Sequence, residues 1–113
     1  MKISVPVQIR LGRRSYVFRR ALQSDSSRVV LLLHQMFTKP PHGFSEKNAL
    51  RILKGIRKSG DVYNLVVEFN EEIVANVLAY LVEYPRFGRR MFVEDFVVDQ
   101  RHRGNGLGSS MLK

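Results

Sequence analysis

"VVDQRHRGNGLGSS", residues 97–110, is the stretch on which the reading of this chain turns. An apolar run leads into it, Arg101 and Arg103 stand at its centre, and Gly104, Gly106 and Gly108 alternate behind them. "SSMLK", ending at Lys113, reads as the start of a helix. Residues without a Cβ adopt unusual backbone angles and let a ligand approach the main chain. Loop N–H groups and a helix N-terminus together make an anion site, to which Arg101 and Arg103 add positive charge. A strand, then R-x-x-G-x-G-x-G, then a helix therefore points to phosphate binding. No G-K-[ST] follows, so the loop is not a Walker A loop. The glycine spacing and the meander before it also differ from the dinucleotide fingerprint.

Upstream, "RRMFVEDFVV" (89–98) and "IVANVLAYLVEY" (73–84) read as strands apolar on both faces, and "YNLVVEF" (63–69) as a third. A strand buried on both faces sits centrally in a sheet. "NEE" and "PRFG" are short turns, which imply antiparallel pairing. Before them, "FSEKNALRILKGIRKSG" is a helix with Ser45 as N-cap, a stripe of Ala49, Ile52, Leu53 and Ile56, and Gly60 as its stop. "TKPPHGF" breaks it from an earlier helix, "RVVLLLHQMF", capped by Asp25 or Ser24, whose Val29, Leu32, Leu33, Met36 and Phe37 recur at helical spacing. His34 in that helix reads as a packed or surface histidine. "YVFRR" is a strand. "KISVPVQIR" (2–10) alternates with period two, and Pro6 assigns it to a sheet edge. The order is strand, strand, helix, helix, three strands, glycine loop, helix: an α+β layer fold.

These residues carry a family resemblance. "VEDFVVDQRHRGNGLGSSML" resembles motif A of the GNAT acetyltransferase superfamily, whose [Q/R]-x-x-G-x-[G/A] is met here by Arg101 to Gly106. The resemblance runs from about Tyr16 to Lys113 and is specific from Met91 to Leu112. It implies a mixed, largely antiparallel sheet flanked by helices, and an enzyme moving an acetyl group from acetyl-CoA to a primary amine. By position, it gives Phe96, Val97 and Val98 the pantetheine role. Arg103, Gly104, Asn105, Gly106, Leu107, Gly108 and Ser109 take the pyrophosphate role. His102 is expected to be an exposed loop residue.

Glu94 and Asp95 interrupt the apolar strand. Adjacent strand residues point to opposite faces, so they are not expected to act as a pair. The resemblance makes Glu94 the general base or the contact to the acceptor amine. The competing reading has both carboxylates paired with Arg89, Arg90 or basic helix residues.

The family fold continues beyond a third helix, so residues 1–113 are expected to form one GNAT-like domain incomplete at its C-terminus, weak or inactive alone. The general acid would then lie past Lys113. The strand at 2–10 is additional to the minimal family fold and either pads the sheet edge or mediates a homodimer.

Bulk properties agree. With 113 residues and 44% hydrophobic content the chain suits one domain with a packed core. It has no cysteine, which excludes disulfides and thiolate metal sites; no metal is expected. No signal peptide or membrane span is visible, so the expectation is a soluble protein of the cytoplasm, with the nucleus also open to it. Nineteen Lys and Arg against ten Asp and Glu give +9, which favours anionic partners. That surplus argues mildly for an anionic acceptor such as a sugar phosphate and against a polyamine. The alternatives are a non-catalytic acyl-CoA-binding module and, less favoured, a small nucleic-acid-binding domain, against which stands the lack of aromatic residues interleaved with basic ones.

Overall fold

The computed structural model describes residues 6–39, 41–104 and 106. Five strands, β1 (Val7–Leu11), β2 (Arg14–Arg20), β3 (Val62–Phe69), β4 (Glu72–Tyr84) and β5 (Gly88–Val98), form one sheet in the order β1-β2-β3-β4-β5, and all four pairings are antiparallel. Two helices, α1 (Ser26–Leu33) and α2 (Glu46–Ile56), lie between β2 and β3 in the chain.

β1 takes the expected edge, but it begins at Val7, so Pro6 precedes the strand and does not impose that place; Val7 is 43% exposed. Ile3 and Val5 lie outside the described residues. β4 is an interior strand, its residues Ile73 to Ala79 all buried, and it receives β3 on one side and the edge strand β5 on the other. β5 differs from the expectation of a strand buried on both faces. It is the other edge, and Phe92 and Val93 are 43% and 44% exposed, with burial reached only at Val97 and Val98. Its apolar residues line concave surface instead of a closed core.

The helices cover one face of the sheet. Val29, Val30 and Leu32 of α1 and Leu53 of α2 pack on Val66, Ile73 and Val97. Ser45 caps α2, its Oγ accepting the Asn48 N–H at 3.1 Å. The apolar stripe of α2 is narrower than its spacing suggests: Phe44, Ala49, Leu53 and Ile56 meet the core, while Ile52 is 46% exposed. α1 ends at Leu33 and tightens into a 3-10 turn, His34–Met36, which turns Met36 out of the core. Asp25 is the N-cap residue of α1, as expected, but its side chain makes no capping hydrogen bond to that helix. Its carboxylate accepts the Leu22 N–H at 2.7 Å and pairs with the Arg19 guanidinium at 2.7 and 3.1 Å. Burial opposes its charge, and these bonds overcome it and hold the Asp25 carboxyl below its ordinary range.

On the opposite face Tyr16, Leu65, Val67, Val74, Val77 and Val98 form a second apolar cluster.

Candidate active site

β5 departs from regular pairing at one place. Asn76 faces Val97 and Leu78 faces Glu94, so two residues of β5, Asp95 and Phe96, stand against Val77 alone. The extra residue is a β-bulge, and Asp95 takes it up with φ +48°. Two clefts open on either side of this bulge along β5.

The first is a cleft of about 400 Å³ lined by Gln35, Met36, Phe96, Val97, Val98 and Arg103. Four of these are residues that motif A assigns to the cofactor. Asp95 and Phe96 fall outside the ladder with β4, so the strand backbone here is offered to the cleft. Beyond Val98 the chain turns through Asp99 and a 3-10 turn, Gln100–His102. Gly104 and Gly106 both have φ +81°, a backbone conformation that disfavours any side chain. Asn105, Leu107, Gly108 and Ser109 lie outside the described residues.

The turn is held by Asp99, which is buried. Its carboxylate accepts from Arg101 Nη2 at 3.0 Å, from the Arg101 N–H at 3.1 Å and from Arg28 Nη2 at 2.6 Å, and these bonds keep it well below the usual carboxylate range. Arg101 also reaches Glu72 at 2.7 Å. This corrects the sequence reading of Arg101: its charge is committed to Asp99 and Glu72, not held ready for a phosphate. Arg103 donates from Nε to the Val98 carbonyl at 2.7 Å and faces the cleft.

His102 is also corrected. It is 8% exposed, with its ring edge-on to Tyr16 and Phe69. Its Nδ1 lies 3.2 Å from the Tyr16 hydroxyl and 3.3 Å from Arg14 Nη1. Both neighbours are donors, so Nδ1 is the acceptor and the imidazole is neutral. Burial first, and the Arg14 charge second, push its pKa down.

The second cleft, of about 520 Å³, is lined by Tyr80, Val82, Tyr84, Phe92, Glu94 and Asp95. The expectation that Glu94 and Asp95 face opposite sides is overturned. Alternation fails at the bulge, and both carboxylates line one surface. Both are exposed, and among the described residues neither forms an ion pair, so the pairing with Arg89, Arg90 or the helices is not what the structure places there. Arg89 pairs with Glu83 at 3.0 Å. Burial, then the Asp95 and Glu94 charges, push the Tyr80 hydroxyl pKa up. Tyr80, Asp95, Gln35 and Met36 were not singled out from the sequence as site residues. The two adjacent carboxylates within an apolar run were the available signal for Asp95.

No curated protein matches the chain in sequence. Solved structures do match its fold. One is a predicted acetyltransferase with acetyl-CoA from Clostridium acetobutylicum, 20% identical, with TM-score 0.70, covering 86% of this chain and 68% of its own. Another is a glucosamine-6-phosphate N-acetyltransferase from Arabidopsis thaliana, 25% identical, with TM-score 0.70 and coverage of 86% and 69%. A third is an acetyltransferase from Trypanosoma brucei, 27% identical, with TM-score 0.66 and coverage of 86% and 69%. The model of the acetyltransferase (GNAT) family matches residues 29–113, well over half of the sequence. With that match over most of its length and a fold shared with these structures, the chain belongs to the GNAT acetyltransferase family.

Proposed function

We propose that this chain, as one domain or the cofactor-binding part of one, transfers an acetyl group from acetyl-CoA to a primary amine, acting in the cytoplasm. The observation that carries the reading is the bulge at Asp95, which sets Phe96 in one cleft and Glu94 in the other. An acyl donor and an amine seated in the two clefts would meet at the bulge.

The residues present suit acetyl-CoA. Backbone of Phe96 to Val98 would hold the pantetheine arm as an added strand holds an edge. Arg103, Gly104 and Gly106, with Asn105, Leu107, Gly108 and Ser109, would hold the pyrophosphate. Acetyl-CoA supplies an activated thioester: a C–N bond forms as the C–S bond breaks, leaving an amide and the CoA thiol. Glu94 takes the proton that the acceptor ammonium must lose before its nitrogen can attack. A β5 N–H at the bulge polarises the carbonyl oxygen.

Calorimetric titration with acetyl-CoA and dephospho-CoA, together with thiol release on an amine panel, tests this reading. Saturable binding and turnover are expected. Binding without turnover on any amine supports the non-catalytic acyl-CoA module instead, and no binding removes both.

A further inference from the structure

The acceptor cleft is polarised along its length. Tyr80, Val82 and Tyr84 of β4 share one face with Phe92, which stands opposite Tyr80, and Arg90, which stands opposite Val82. At the bulge end are Glu94 and Asp95. The middle is apolar, with the Tyr84 and Phe92 rings 6.3 Å apart. At the hairpin end Phe87 lies 6.3 Å from Tyr84, and the guanidinium groups of Arg86 and Arg90 each lie 5.1 Å from its ring centre.

Neither end of this strip is neutralised among the described residues. Asp25, Glu68, Glu72, Glu83 and Asp99 are matched with arginine and Glu46 with His34, whereas Glu94 and Asp95, like Asp61 and Glu71, form no ion pair. Of the unpaired carboxylates, Glu94 and Asp95 are the two that line this cleft. Among the described residues Arg86 and Arg90 have no carboxylate partner either. Glu94 and Arg90 are four residues apart on one strand, about 13 Å between backbones. Opposite charges at the two ends of an apolar strip match a ligand of the reverse polarity.

We infer that the acceptor is an elongated zwitterionic amine: a primary ammonium at Glu94 and Asp95, an apolar body along Tyr80, Val82 and Phe92, and an anionic group at Arg90. A second ammonium at the far end would meet Arg86 and Arg90 and be repelled. This rests on the acetyl-transfer reading for the chemistry that follows binding, but not for the binding itself.

Three amines with the same spacer separate the ends: ω-aminooctanoate, octylamine and octane-α,ω-diamine. Binding is read by calorimetry without acetyl-CoA, and acetylation by thiol release with it. The expected order is aminooctanoate, then octylamine, then the diamine, with the first two differing about tenfold, the size of one charge-assisted contact. Arg90→Gln is expected to bring aminooctanoate down to the level of octylamine, and Arg89→Gln, at the residue paired with Glu83, to leave the order unchanged. A diamine that binds as well as aminooctanoate, an order that survives Arg90→Gln, or no binding of any of the three overturns the inference. Binding in the expected order without thiol release would uphold it while removing the acetyl-transfer reading.

Discussion

His102 shows what a single side chain does beneath the glycine turn. It fills the slot between Tyr16 and Phe69 and accepts from the Tyr16 hydroxyl, which joins the end of β5 to β2. The folded chain favours the neutral ring, whose pKa lies below its ordinary value of 6.5. The unfolded chain therefore binds more protons in mild acid. His102 contributes its stability in full above about pH 6.5, and the contribution is lost as the pH falls through the folded pKa. Thermal melts across that range should show a shallower acid slope for His102→Gln than for the parent. At Glu94 the expected change is in rate: Glu94→Gln should lower kcat by about 10²–10⁴-fold while the calorimetric affinity for acetyl-CoA is unchanged. Legibility at this scale was uneven. The family resemblance implies a cofactor role for Phe96, Val97, Val98 and Arg103, and the four line one cleft. The burial of His102 could not be read from the sequence, because its partner Tyr16 lies 86 positions away.

Among the elements, β5 is the one that departs most from its sequence pattern. Alternation placed Glu94 and Asp95 on opposite faces, and nothing in "VEDFVV" marks which residue is extra. The bulge depends on how β5 meets β4, which is a tertiary fact. Deleting Asp95 would restore a continuous ladder, with Phe96 against Val77, while Val97 stays opposite Asn76 and Glu94 opposite Leu78. The deletion should therefore fold, with an ordinary circular dichroism spectrum, yet lose acetyl-CoA binding because the two clefts no longer open beside an unpaired backbone. The β3–β4 turn offers a second test. Asn70 and Glu71 have φ +49° and +65°. The left-handed conformation is costly for glutamate and free for glycine, although glycine loses more entropy on folding. Glu71→Gly should stabilise the chain by about 0.5–1 kcal/mol, measured by urea unfolding. The short turns and both helices were legible, since Ser45 and the prolines act locally. The exposure of Ile52 and Met36 was not, because helical spacing fixes a stripe but not how wide the partner surface is.

The whole molecule is a sheet with its helices on one face, and Leu32 lies fully buried between them. Leu32→Ala should cost about 2–5 kcal/mol, shown as a lower urea midpoint with little change in slope. The α+β class and the order of elements followed from the alternation of periods along the chain, and the sheet order adds something that composition could not. Strands neighbouring in space are also neighbours in sequence, so three of the four pairings close over tight turns. Only β2 with β3 must close over a long loop, residues 21–61, which holds both helices. Hairpins form in about 1–10 μs, and the long closure is slower and carries most of the entropic cost. The sheet is thus expected to assemble as two local ribbons, with docking of the helical loop joining β1–β2 to the ribbon bearing both clefts. Because that cost grows only with the logarithm of loop length, residues around Pro41 can be lengthened or shortened with little effect on folding speed.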